Sequence, residues 1–154
     1  MTLPPELWAK IAGYMENPFI MRRVTPNPYL ESYLVHEYKK WESLSIRQLP
    51  ESFIRRYADH LDWEKISIYQ KLSESFIREF ADRLNWMYIS INQELSEEFI
   101  RAFRDDVCWS YISQYQKLSV EFIKENIKRI DPCQIIQCQR IPARLKREIV
   151  RRVR

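Results

Sequence analysis

The chain has 154 residues, a formal net charge of +4 at pH 7, 45% hydrophobic and 14% aromatic side chains, and a single glycine. That apolar content is enough to bury a core and too high for a disordered chain, and the length bounds the chain to one domain or a short module joined to an array. No apolar run approaches the ~18–20 residues a membrane span needs, and Met1-Thr2-Leu3-Pro4-Pro5-Glu6 lacks the basic and apolar stretches of a secretory signal.

The first predicted element is a helix near the N-terminus. Leu3, Leu7, Ile11 and Tyr14 fall on one helical stripe, and Pro4 and Pro5 suit a first turn whose N–H groups have no partner. Read from the residues alone, residues 1–28 form an N-terminal helical cap that shields the first hairpin. The run Leu3-Pro4-Pro5-Glu6-Leu7, then Ile11 and Tyr14-Met15, also resembles the opening of an F-box, and Phe19-Ile20-Met21-Arg22-Arg23-Val24 is similar to that family's next segment. The resemblance implies a docking motif for a Skp1-type adaptor of a ubiquitin ligase, with Leu3, Pro4, Leu7, Ile11 and Val24 as the docking residues. The Cys/Ser-Arg-x-Trp that follows in the family is replaced here by Thr25-Pro26-Asn27-Pro28-Tyr29.

Next comes a divergent hairpin over residues 29–48. Trp41 through Gln48 matches Trp63 through Gln70, so the second helix of an early unit is present and Tyr29–Lys40 supplies its first.

From residue 49 the chain repeats itself every 23 residues: Leu49-Pro50-Glu51-Ser52-Phe53-Ile54 recurs at Leu72, Leu95 and Leu118, and in altered form at Ile141. A period of this size signals stacked supersecondary units that cannot bury their own apolar faces. Numbering each copy from its Leu, positions 1, 5, 6, 9 and 13 are apolar in nearly every copy and share one helical stripe. Serine or proline at position 2 and acidic residues just after it mark a helix start, so a first helix is expected over positions 3–13. Asp62, Asn85 and Asp131 at position 14 read as caps of a short second helix. It carries Trp at 15 (Trp63, Trp86, Trp109), Ile at 18, Ser at 19 and Gln at 22. The serine lets neighbouring backbones approach, and the glutamine is expected to bond backbone groups of the turn. The fold class is therefore all-α: an α-solenoid of short αα-hairpins, with four 23-residue repeats over 49–140.

Positions 3, 7 and 11 form a charge triplet, Glu51-Arg55-Asp59, Glu74-Arg78-Asp82 and Glu97-Arg101-Asp105, that reads as a salt-laced solvated face. It then changes to Val120-Lys124-Lys128 and Ala143-Arg147-Arg151. Residues 141–154 hold six cations and one carboxylate, a local charge of +5 against +4 for the whole chain. The basic patch comprises Lys124, Lys128, Arg144, Arg147, Arg151 and Arg154. Position 6 is Ile in four copies and Lys146 in the last, so residues 141–154 read as a basic capping helix, polar on its outer side.

Little in the sequence supports catalysis. One glycine, Gly13, rules out glycine-rich phosphate loops. No acid–base or nucleophile grouping recurs around His36 or His60, and His60 shares its column with Arg83, Asp106 and Arg129 on a solvated face. Cys108, Cys133 and Cys138 form no CxxC pair, which argues for a reducing compartment and packing roles, with neither cofactor nor metal. The repeat Leu-Ser-x-x-Phe-Ile…Trp-x-x-Ile-Ser-x-x-Gln is similar to short helical repeats in proteins of large DNA viruses and some phages, where F-box-like starts join such repeats. That resemblance implies a viral protein acting in the host cytoplasm or nucleus. The expected function is a non-enzymatic protein–protein interaction scaffold, in its sharper form a substrate adaptor for a ubiquitin ligase. The alternatives are a nucleic-acid- or phosphate-binding protein using the basic end, and a self-assembling structural protein.

Overall fold

The computed structural model describes residues 45, 46 and 48–153. Leu3, Pro4, Leu7, Ile11, Val24 and Arg154 lie outside the described residues, as does nearly all of the 29–48 hairpin. The chain divides into two compact units, residues 1–71 and 72–154. The fold is all-α, a helical repeat of the solenoid type, with no strand among the described residues.

The helices are α1 (Glu51–Arg56) and α2 (Trp63–Tyr69) in the first unit. The second unit holds α3 (Glu74–Glu79), α4 (Trp86–Asn92), α5 (Glu97–Ala102), α6 (Trp109–Tyr115), α7 (Val120–Glu125), α8 (Pro132–Cys138) and α9 (Ala143–Val153). Odd-numbered helices open a repeat and even-numbered helices close it. In the second unit the closing helices α4, α6 and α8 pack on one another in sequence, and α9 packs on α8.

The caps follow the sequence closely. Ser73, Ser96 and Ser119 each accept from the amide three residues on, that of Phe76, Phe99 or Phe122. Asp62, Asn85 and Asp131 cap the closing helices, whereas Cys108 makes no side-chain cap. Burial pushes the Asp62 carboxyl up, but the Lys65 amide and side chain and the Glu64 amide outweigh it and hold the group below the usual carboxylate range.

The opening helix is shorter than its apolar stripe implies. It ends at position 8 in four copies, where Tyr57, Phe80, Phe103 and Asn126 leave helical geometry with φ between −104° and −117°. The chain then makes one further turn, closed by bonds such as Leu84 N–H to Phe80 C=O at 3.2 Å. Three of these turns feed a tryptophan. The indole N–H of Trp63, Trp86 and Trp109 donates to the carbonyl of Ala58, Ala81 and Arg104, five residues earlier, at 2.8–3.1 Å. Pro132 replaces the tryptophan in the fourth copy, and there the Asn126 side-chain amide donates to Phe122 C=O instead. Among the described helices only α9 runs the full span from position 3 to 13. No indole draws on its carbonyls among the described residues.

The core repeats with the sequence. Phe76, Phe99, Phe122 and the isoleucines at positions 6 and 18 are fully or almost fully buried, and Leu145 and Ile149 of α9 close the last layer against Ile123, Ile130 and Ile135. Burying each such side chain contributes about 1.5–3 kcal/mol. None of the described helices is long and apolar enough to cross a membrane.

Candidate functional site

What joins one repeat to the next is largely polar and buried. Ser90 and Ser113, at 0% exposure, each donate to the carbonyl four residues back and accept from the amide that starts the following closing helix, Cys108 or Asp131, at 2.9–3.0 Å. Gln116 reaches back a full repeat: its Oε1 accepts from Leu95 N–H, and its Nε2 donates to the carbonyls of Ser90 and Gln93. Gln139 repeats the two donations to Ser113 and Gln116, and Gln93 accepts from Leu72 N–H. The glutamines thus bond turn backbone as their position suggests, but the turn is the one that joins the preceding repeat to the start of their own. In the first unit Ser45 plays the same part. It accepts from Asp62 N–H, and its carbonyl takes Gln70 Nε2, with every spacing one residue shorter.

The opening helices are joined through charge and rings. Glu74 and Glu97 accept from the amides of Ser96 and Ser119, at the start of the next repeat, at 2.6 Å. Arg78 lies 4.8 Å over the Phe99 ring, and Arg101 lies 4.9 Å over Phe122 while pairing with Glu125 at 2.9 Å. Trp86 and Trp109 pack on Phe99 and Phe122 of the following copy at 6.2–6.3 Å.

The triplets are therefore not ladders within one helix. Arg55–Glu51 and Arg101–Glu97 pairs form, at 3.5 and 3.7 Å. Arg78 and Asp82 make no pair, and Asp105 turns to Arg104 and, in the next repeat, to Arg129. The reason is the early helix end: position 11 lies in the turn, off the helical stripe that the i, i+4 rule assumes.

This joinery changes between α7 and α9. Position 3, a glutamate in the earlier copies, is Val120, and the serine whose amide that carboxylate would hold is Pro142, which has no N–H. Position 5, elsewhere phenylalanine, is Leu145. Ile136 stands where the buried serines stand, half-buried against the last core layer. Lys146, in place of a buried isoleucine, is half-buried.

The substitutions leave a cleft of about 330 Å³ lined by Val120, Lys124, Pro142, Arg144, Leu145 and Glu148. Its lining is mixed: Val120, Pro142 and Leu145 are apolar, Lys124 and Arg144 bring two cations, and Glu148 adds one carboxylate. Of the basic patch, Lys124, Lys128, Arg144, Arg147 and Arg151 are all exposed, and none makes an ion pair among the described residues. Only Lys124 and Arg144 line the cleft.

In the sequence alone Val120 stands out only as the lost glutamate of the charge triplet and Glu148 only as the one carboxylate of the last copy, and neither Pro142 nor Leu145 reads as lining a site. The signal for Pro142, Val120 and Leu145 is the joint departure of positions 2, 3 and 5 from the repeat, whereas Glu148 repeats Glu79 and Glu125. Cys133 and Cys138 are exposed on α8, so the packing role expected for them does not hold; only Cys108 is half-buried. His60 is exposed, as are Arg83, Asp106 and Arg129 in its column. Among the described residues no three His, Cys, Asp or Glu side chains converge as metal ligands. Comparison of the chain with protein-family models, with curated proteins and with solved structures finds no match.

Proposed function

We propose that the chain is a non-enzymatic protein–protein interaction scaffold whose working surface is the cationic end formed by α7 and α9, and whose partner presents an acidic segment. One observation carries this reading. Lys124, Lys128, Arg144, Arg147 and Arg151 are exposed and without an ion-pair partner among the described residues, while the equivalent Arg101 is tied to Glu97, Glu125 and the Phe122 ring. Cations held in one place by a rigid stack favour an acidic partner and speed its encounter.

A phosphate backbone is the competing ligand for such a surface. The tryptophans favour protein over nucleic acid. The three described tryptophans are half-buried and donate to backbone carbonyls, so they supply no exposed stacking platform for bases. The test is binding of labelled poly-L-glutamate and of a single-stranded oligonucleotide across a salt series. Reversing Lys128, Arg147 and Arg151 to Glu should weaken poly-L-glutamate binding at least about tenfold, and the control Lys117→Glu should leave it little changed. A tighter oligonucleotide complex with a steep salt slope would favour the nucleic-acid reading.

In the sharper form of the scaffold, residues 1–28 dock a Skp1-type adaptor through Leu3, Pro4, Leu7, Ile11 and Val24, and the repeats present a target to a ubiquitin ligase. Co-purification with such an adaptor, abolished by Leu7→Asp, supports that form; no co-purification removes it and leaves the scaffold. Three free thiols suit a reducing compartment, cytoplasm or nucleus, of a host cell if the repeat's viral resemblance holds.

A further inference from the structure

We propose that the cleft between α7 and α9 takes one aromatic side chain of an acidic peptide, with carboxylates flanking that ring paired to Lys124 and Arg144. This rests on the reading of the cationic end as a protein-binding surface and names the feature that surface would select.

The molecule contains its own template for the occupant. At the junction between the third and fourth copies, the positions equivalent to Leu145 and Val120 hold the Phe122 ring, in contact with Trp109 and the Arg101 guanidinium, and the Glu97 carboxylate, which accepts from the Ser119 amide. At the last junction the carboxylate has become Val120 and the ring has become Leu145. What is missing there is a ring and the carboxylate of position 3, and what remains is Val120, Pro142 and Leu145 beside two cations and Glu148.

Size and charge agree with that filling. A cavity of about 150 Å³ is enough for benzene, so 330 Å³ admits a phenyl or phenol ring. Val120, Pro142 and Leu145 give the ring apolar contact. Glu148 also lines the cleft, so its charge disfavours a carboxylate inside and favours a neutral group there, with the ligand's carboxylates placed against Lys124 and Arg144. A phosphate backbone offers charge for the cations but no side chain for the apolar walls.

The test uses two fluorescein-labelled synthetic peptides, each a central residue between two runs of glutamate. One has phenylalanine at the centre and the other alanine. Fluorescence anisotropy with the full chain should show the phenylalanine peptide binding about tenfold more tightly or better, the yield of burying one ring. Leu145→Phe, which restores the residue of the inner copies, should cut that preference to about twofold or less. Val120→Phe, from the opposite wall, should do the same should Leu145→Phe fail to fold by circular dichroism. Lys124→Glu with Arg144→Glu should weaken both peptides. Equal binding of the two peptides to the unmodified chain overturns the cleft proposal and leaves the cationic surface standing. Binding of neither peptide overturns both. A charge-matched oligonucleotide that binds more tightly than either peptide and is indifferent to Leu145→Phe overturns both in favour of a phosphate ligand.

Discussion

The junction between the third and fourth copies and the junction between α7 and α9 use the same positions for different ends. In the first, polar side chains find partners across the junction: Glu97 on the Ser119 amide, Ser113 on the Asp131 amide, and Gln139 on the Ser113 and Gln116 carbonyls. In the second, valine, proline, leucine and isoleucine occupy positions 3, 2, 5 and 19, and the polar groups that would need partners are absent in pairs. Val120 faces a residue with no amide to satisfy. The comparison teaches that a repeat junction is a matched set, and that changing the set converts an interface into a surface.

The largest expected effect comes from breaking the inner set. Gln116→Ala removes the bonds to the Leu95 amide and to the Ser90 and Gln93 carbonyls at a site where the glutamine is only 5% exposed. At about 1–3 kcal/mol per buried unsatisfied group, destabilisation of roughly 3–6 kcal/mol is expected in urea unfolding. Gln139→Ala, half-buried and with two such bonds, should cost less.

Exchanging the ring positions sharpens the comparison. Phe99→Leu reproduces the end junction inside the stack. It removes the contacts of Trp86 and Arg78, and should cost about 1–3 kcal/mol, with a void like that between α7 and α9. Leu145→Phe grows into existing space and should change the melting temperature by only a few degrees, about 1 kcal/mol or less.

A smaller effect separates the carboxylate from its amide. Glu97→Val should cost about 0.5–1.5 kcal/mol through the lost bond to the Ser119 amide. Val120→Glu, placed before Pro142, should gain nothing from an equivalent bond. If the two changes are equal and opposite, the pairing of positions 3 and 2 is not what governs the junction.

Repeat, fold class and caps were legible because they are local: a serine or aspartate before an amphipathic run carries its own explanation. The glutamine column was legible as structural, but not as a link to the preceding repeat, since its partners lie 21 to 26 residues back and are backbone groups without a sequence signature. The end of the opening helix was misjudged by five residues because position 13 keeps its apolar side chain after the helix has ended: Leu61, Leu84, Val107 and Ile130 are buried from the turn that follows. The cations at the far end were visible in the sequence. The cleft beside them was not, because it is made by what Val120, Pro142 and Leu145 lack.

The smallest effect concerns the closing-helix caps. With its carboxyl depressed, Asp62 adds stability that is fully present above the unfolded value of about 3.9 and is lost as pH falls through the lower folded value. Asp62→Asn keeps the cap and removes that acid-limb dependence, seen as a flatter melting temperature between pH 5 and the acid transition. Cys108, at the same position with no side-chain cap, offers the converse: Cys108→Asp should stabilise by about 0.5–1 kcal/mol at neutral pH.

The division between regular joinery and an open, cationic end is tested most directly by a nitrogen-15 NMR titration of the chain with the phenylalanine-centred glutamate peptide. The account predicts amide shift changes concentrated over residues 120–148, around Val120, Lys124, Arg144 and Leu145, with residues 72–117 unmoved. Changes centred on the inner repeats, or spread evenly along the chain, would contradict it.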